Sequence, residues 1–305
     1  MNSVSIKSLY LPGDNHRLHL CQLSGPESNG QAVLMIHGSM ENGRIFYNHK
    51  GKGFGSFLAR QGFDVYVLDL RGRGLSEPVI GKGHKHGQHE SICEDIPRAM
   101  AWVKSRTEKP FHCVAHSWGG VMLMACLIRQ PHWIEQIGRQ LLIGSKRTIR
   151  IHNPERWLKI DLFWYRLAPL IARLKGYLPV KALGIGADNE TRSNLSDISH
   201  WVRCDQWKDR YDEFDYHQAA QSLTLPPTWF ITGKNDQALG HYQDMCDFVR
   251  ELDMQEQPCG LIGRKTRYRH DYGHIDILTH EDGPQDHFPV LSRWLHSGAL
   301  PEVQR

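Results

Sequence analysis

The chain has 305 residues, 40% of them hydrophobic and 23% charged, with a formal net charge of +4. This length suits one large domain with a sizeable core, or one domain carrying an insert. The small net charge excludes a nucleic-acid partner as an expectation, although the 19 histidines add positive charge in mild acid.

Taken in chain order, Val4–Tyr10 and His16–Leu23 alternate apolar and polar residues around Pro12-Gly13-Asp14-Asn15, the pattern of a hairpin. Ala32–Ile36 is an apolar run entering His37-Gly38, which predicts a buried strand. Phe54–Arg60 predicts a helix, and Asp64–Leu70 a second buried strand ending in Arg71-Gly72-Arg73-Gly74. His84, His86 and His89 fall in an exposed, Gly- and Lys-flanked loop. They lack the neighbouring aspartate of a metallo-hydrolase, so no metal is expected there. Ile92–Arg106 has helical periodicity. Phe111–His116 predicts a strand, followed by a tight turn at Ser117 and a helix from Trp118. Gln140–Gly144 predicts a further strand. Strands alternating with helices give an α/β class with a mostly parallel, doubly wound sheet.

The alternation stops between residues 145 and 221. A helical stripe runs through Trp157, Ile160, Trp164, Leu167, Ile171 and Leu174, interrupted by Pro169. It either lines an acyl pocket as a lid or packs on the sheet domain. The alternation resumes with a strand at Thr228–Gly233, a helix at Tyr242–Leu252, a strand at Leu261–Tyr268 and a helix at Phe288–Leu295. The expected organisation is therefore a core of residues 1–144 and 222–305, with residues 145–221 inserted after the sixth strand as a helical cap on the sheet's carboxyl edge, where open α/β sheets bind ligands.

Seven cysteines, Cys21, Cys93, Cys113, Cys126, Cys204, Cys246 and Cys259, are dispersed with no CxxC spacing. They fit a reducing compartment better than a disulfide framework. Residues 1–7 carry no long apolar run, and Val121–Ile128, among the longest apolar runs, falls short of a membrane span. A cytoplasmic protein without stable membrane insertion is expected; oligomeric state is left open.

The chemistry centres on His112-Cys113-Val114-Ala115-His116-Ser117-Trp118-Gly119-Gly120. A serine at the tip of a strained strand-to-helix turn needs small neighbours, and Ala115 and Gly119 supply them. The helix that follows aims its positive end at the turn. Ser28-Asn29-Gly30 repeats the spacing without a preceding apolar strand and is discounted. A serine hydroxyl is a poor nucleophile near neutral pH, so an imidazole must take its proton and a carboxylate must orient that imidazole. Asp236 follows the predicted strand at 228–233. His274, in Tyr272-Gly273-His274-Ile275-Asp276, follows the last predicted strand. Asp205, Asp209, Asp212 and Asp215 compete for the first role, and His270, His280 and His287 for the second; all read more simply as surface residues.

With these motifs in order, the chain resembles the α/β-hydrolases, in particular the lipase/esterase group that includes monoacylglycerol-lipase-like and S33 serine-aminopeptidase-like enzymes. The resemblance covers most of the sequence: His37-Gly38, Asp69–Ser76, the turn at Ser117, Gly233–Asp236 and Gly273-His274. It implies a serine hydrolase acting on a carboxylic ester through an acyl-enzyme, with Ser117, Asp236 and His274 catalytic. The oxyanion would rest on the amides of Trp118 and Ser39, with Met40 the second choice, and no cofactor is needed. Aspartate- and cysteine-nucleophile members of the fold are excluded by the residue at 117. An aminopeptidase or amidase is the alternative, requiring acidic residues such as Glu190 or Glu213 turned toward a substrate amine. A non-catalytic receptor for a hydrophobic ligand is the other. Arg71 and Arg73 are expected either to meet a polar substrate or, more simply, to bond local carbonyls. The basic run Arg264–His270 is expected to guard an edge strand.

Overall fold

The computed structural model describes residues 3–301. Ten strands are present: β1 (Ser5–Pro12), β2 (Arg17–Ser24), β3 (Ala32–Ile36), β4 (Asp64–Asp69), β5 (Phe111–His116), β6 (Ile137–Ile143), β7 (Tyr177–Leu178), β8 (Glu190–Thr191), β9 (Thr228–Gly233) and β10 (Cys259–Ile262). Eight of them form one sheet in the order β1-β2-β4-β3-β5-β6-β9-β10. β1, β2 and β4 pair antiparallel; every pairing from β4 through β10 is parallel. This is the mostly parallel, doubly wound α/β sheet that the alternation of elements predicts.

The central strands β3, β4, β5 and β9 are buried on both faces, and their period of two divides the core into two layers. Leu34 and Ile36 of β3, Leu68 of β4 and Cys113 and Ala115 of β5 point to one side, against Met100, Val121 and Leu123 of the helices Ile96–Lys104 and Trp118–Arg129. Val33 and Met35, Val65 and Val67, and Val114 point to the other. There they meet Phe54, Leu58, Phe288, Leu291 and Trp294 of the helices Phe54–Arg60 and Phe288–Ser297.

Two expectations change. The strand expected at Leu261–Tyr268 is β10, shorter and earlier. It ends where the Thr266 hydroxyl bonds the carbonyls of Leu261 and Gly263 and draws the chain into a single 3-10 turn at Arg264–Thr266. The basic run therefore sits on a turn beyond the edge strand. The stripe from Trp157 to Leu174 also does not bury as one face. Ile160 and Trp164 are buried, but Trp157, Leu167 and Leu174 are exposed. The reason is that Trp157–Leu167 is wound as a π-helix, which advances its side chains more slowly per residue than the 3.6-residue repeat the stripe assumes.

Between β6 and β9 the main sheet receives no strand. This segment holds the helices Ala168–Lys175, Arg192–Arg203 and Tyr216–Ala220 and the small antiparallel pair β7–β8. All seven cysteines are free. Among the described residues, no helix is long and apolar enough to cross a membrane.

Candidate active site

The turn after β5 has the strain its sequence foretells. Ser117 sits at φ 53°, ψ −128°, a conformation a non-glycine residue adopts only when its surroundings impose it. Those surroundings are tight. A Cβ at Gly119 would lie 2.4 Å from the His37 carbonyl oxygen, and one at Gly38 would lie 2.8 Å from Ser117 Cβ. Ala115, by contrast, is buried within β5 opposite Ile36 and Leu142, where a methyl group fits.

At this edge, side chains 38 and 157 residues apart meet. His274 Nε2 lies 2.9 Å from Ser117 Oγ, and His274 Nδ1 lies 2.5 Å from Asp236 Oδ2. The other carboxylate oxygen of Asp236 accepts the N–H groups of Leu239 and Gly240. Burial alone would raise the Asp236 carboxyl, but the His274 imidazole and these amides hold it below the ordinary aspartate value. Lys146, just past β6, adds to this. Burial lowers its ammonium to about 8, partly offset by Asp244 and Asp236. The competing residues lie elsewhere: Asp209 binds Arg129, His89 and Tyr216, and Asp205 and Asp212 pair with Arg150 and Arg129. Asp215 caps the helix at Tyr216–Ala220. His270 bonds Asp282, His280 accepts the Asp282 N–H, and buried His287 bonds the Ile277 carbonyl.

The loop after β3 faces the same turn. His37 spans it, donating from Nδ1 to the Gly38 carbonyl and accepting the Leu70 N–H at Nε2. The Gly38 N–H is taken by Glu41 Oε2 at 2.8 Å. Among the described residues, neither the Ser39 N–H nor the Trp118 N–H has a protein acceptor. Met40 is held at φ 57° while its carbonyl accepts the N–H groups of Ala187 and Asp188.

Sequence reasoning missed one buried pair. His116, fully buried, places Nδ1 2.9 Å from Glu41 Oε2 and Nε2 2.8 Å from the His274 carbonyl oxygen. A carbonyl only accepts, so Nε2 donates to His274, and with Glu41 as a carboxylate Nδ1 donates as well, the arrangement of an imidazolium–carboxylate pair. The directions agree. Burial lowers His116 but Glu41 outweighs it, leaving a raised value; burial raises Glu41 but His116 outweighs it, leaving a lowered one. The available signals were a histidine directly before the serine and an acid four residues after His37.

Three expectations about polar residues are corrected. Arg71 and Arg73 do not bond local carbonyls. Arg71 pairs with Asp95 and Glu94, and Arg73 reaches across to Glu190 and the Asn189 carbonyl. Glu190, the acid suited to a substrate amine, is buried and spent on Arg73, the Ser39 hydroxyl and the Thr191 N–H. Glu213 is exposed on a turn. Of the three histidines of 84–89, His84 accepts the Gly81 N–H with its ring 6.1 Å from that of His86, His86 lies against Gly72, and His89 turns away to bond Asp209.

A narrow slot of about 20 Å³ adjoins the loop after β3, with Ser39, Trp118, His86 and Asn194 among its walls. A larger cavity, about 590 Å³, lies elsewhere, between the helices Ala168–Lys175 and Arg192–Arg203, and none of the residues above lines it.

The architecture matches solved structures at low identity. A soluble variant of monoglyceride lipase from Saccharomyces cerevisiae, solved with a substrate analogue, superposes with a TM-score of 0.67 at 16% identity, covering 98% of this chain and 97% of that one. An esterase from Thermogutta terrifontis gives 0.61 at 16%, covering 99% and 100%. Carboxylesterase CesB from Bacillus subtilis gives 0.58 at 16%, covering 97% and 93%. No curated protein matches the chain. A family model, serine aminopeptidase S33, matches residues 27–259. The chain therefore belongs to the serine aminopeptidase S33 family and has the α/β-hydrolase fold.

Proposed function

We propose that this hydrolase is a serine esterase working through an acyl-enzyme. The observation that carries the reading is the unbroken relay from Ser117 Oγ through His274 to Asp236, at 2.9 and 2.5 Å. Ser117 Oγ adds to the ester carbonyl as its proton passes to His274 Nε2, and Asp236 stabilises the imidazolium that forms. The ester C–O bond then breaks, and the alcohol leaves with that proton. Water repeats the sequence on the acyl-enzyme and frees the acid. Ser39 and Trp118 amides hold the oxyanion, a contribution worth about 100- to 1,000-fold per donor. Residues 145–221 serve as the cap and the rest of the chain as the core. An ester fits better than an N-terminal peptide, because Glu190 is committed to Arg73 and the Ser39 hydroxyl and Glu213 is exposed on a turn, so neither acid is free to meet a substrate amine at the serine. The monoglyceride lipase and esterase likenesses point the same way.

The test is labelling by a fluorophosphonate together with hydrolysis of 4-nitrophenyl acetate. Both are expected in the wild type and lost in Ser117→Ala, with kcat falling roughly 10⁴-fold or more. A folded protein that ignores the probe, or an unchanged rate in Ser117→Ala, overturns the reading.

A further inference from the structure

The cavity of about 590 Å³ between the helices Ala168–Lys175 and Arg192–Arg203 has the size of a small-molecule site, and neither Ser117 nor His274 lines it. Helical spacing builds its walls. Arg192, Ser196, Ser199 and Arg203 recur at intervals of four, three and four residues, so they share one face of their helix. Pro169 and Arg173, four apart, stand on the facing helix, with Tyr165 just before it in the chain. Two contacts place guanidinium groups on these walls. Arg203 crosses the gap, with Cζ 5.0 Å from the centre of the Tyr165 ring. Arg210 Nη1 donates to the Ser196 hydroxyl at 2.7 Å.

The charge in this cavity is one-sided. Arg173, Arg192, Arg203 and Arg210 line it with His200, and among the described residues no Asp or Glu does. Arg210 is balanced by Asp197, 3.1 Å away. Among the described residues, Arg173 and Arg192 have no ion-pair or hydrogen-bond partner, and Arg203 has only the Tyr165 ring. Elsewhere in the fold Arg71, Arg73, Arg129 and Arg147 are each tied to a carboxylate. Three free guanidinium groups brought to one cleft repel one another and sum their fields inside it, which draws an anion in.

We propose that this cavity binds a soluble organic diphosphate. The site stands apart from the reading of Ser117 and does not depend on it. A guanidinium group presents a planar fork that matches phosphate oxygens in pairs. A terminal phosphate carries a charge of roughly −1.5 to −2 near neutral pH. A diphosphate therefore matches three free guanidinium groups more closely than a carboxylate or a single phosphate does. The cavity leaves room beside the phosphates for an organic group against Tyr165 and Pro169. The four arginines are exposed, so a dissolved ligand reaches them. Arg173 comes from one helix and Arg192 and Arg203 from the other, so the ligand ties the two helices together.

The experiment titrates the full chain with ADP, inorganic pyrophosphate, AMP and adenosine by calorimetry, at a fixed ionic strength of about 0.15 M. ADP is expected to bind at one site, about tenfold or more tighter than AMP. Pyrophosphate should bind more weakly than ADP, and adenosine should give no heat. Arg173→Ala and Arg203→Ala should each weaken ADP about tenfold or more, the loss of one charge-assisted contact. Arg166→Ala removes the same charge from an exposed residue outside the cavity and should leave ADP binding unchanged. In the wild type, bound ADP should slow hydrogen exchange in residues 168–175 and 192–203. Equal weakening in Arg166→Ala, adenosine binding as tightly as ADP, or protection confined to other segments refutes the site. A chain that ignores ADP and pyrophosphate also refutes it, and sedimentation of that chain with phosphatidylglycerol vesicles would assign the arginines to a lipid surface instead.

Discussion

Removing the carboxylate of Glu41 tests whether His116 is an imidazolium. Glu41 Oε2 accepts from both Gly38 N and His116 Nδ1, and the same histidine holds the His274 carbonyl. Glu41→Ala strands a buried cation, and breaking such a pair costs about 3–5 kcal/mol. At about 2 °C per kcal/mol for a chain of this size, Tm should fall roughly 6–10 °C. Because the Gly38 amide and the His274 backbone lose their anchors together, kcat should fall on the order of 100-fold. Glu41→Gln should behave differently. Its amide oxygen, placed where Oε2 sits, still accepts the Gly38 N–H and can accept one N–H of His116, but without the carboxylate charge the ring is no longer held as a cation. Stability is then largely kept, but its pH dependence changes. His116, raised in the fold, contributes fully below its ordinary value of 6.5, and the contribution is lost as pH rises through the folded value. Glu41, lowered in the fold, contributes above its ordinary 4.5, and the contribution is lost as pH falls through the folded value. The Tm difference between wild type and Glu41→Gln should therefore peak between these two values and shrink on either side. Parallel Tm-versus-pH curves for the two proteins, or nitrogen chemical shifts of a neutral His116 ring at pH 6, would refute the argument.

Two further substitutions probe other joints. Asp236→Asn keeps an oxygen for the Leu239 and Gly240 amides but offers His274 Nδ1 an NH₂ group or a neutral oxygen, so kcat should fall about 10⁴-fold with little loss of Tm; a fall below tenfold in steady-state ester hydrolysis removes Asp236 from the relay. Arg147 is 1% exposed and joins the carbonyls of Trp201, Cys204 and Asp205 to the Glu251 carboxylate. Arg147→Ala should cost about 3–5 kcal/mol in urea unfolding and raise hydrogen exchange first in residues 192–205; unchanged exchange there contradicts the joint.

The fold was legible because its signal is local. Each parallel strand is a short apolar run, and the switch between two-residue and helical periods marks each crossover. The serine turn was legible for the same reason: strain at Ser117 demands small residues within two positions. Long-range polar pairing was not. His116 and Glu41 meet because β3 and β5 are neighbours with Ile36 opposite Ala115, a fact of register that neither residue's surroundings in sequence encode. Arg71 and Arg73 look like turn residues until the sheet brings Asp95 and Glu190 to them. The stripe at 157–174 misled because a π-helix shifts the period from which burial is read.

The pairings that sequence hides also decide what can move. The loop after β3 is bound to the segment after β7 at three of its residues. Ser39 bonds Glu190, Met40 accepts Ala187 and Asp188, and Asn42 bonds Asp188. The loop after β4 is bound to the same segment through Arg73 and the Gly74 N–H. A segment that swung away with residues 186–191 would release the strained backbone of Met40 and leave Arg73, the Ser39 hydroxyl and the Gly74 N–H without their carboxylate partners. It would dismantle the loop after β3 in order to admit the substrate. Among the described residues the helices at 157–175 carry no such hydrogen bonds to that loop; they are held by apolar packing of Ile160, Trp164, Ala168 and Ala172, while Trp157, Leu167, Leu170 and Leu174 are exposed. Under the proposed function, opening at 157–175 with 186–191 held still would admit a substrate without disturbing the loop after β3. Hydrogen exchange should report it as faster opening in 157–175 than in 186–191, and the reverse order would place the gate at the loop after β3 itself.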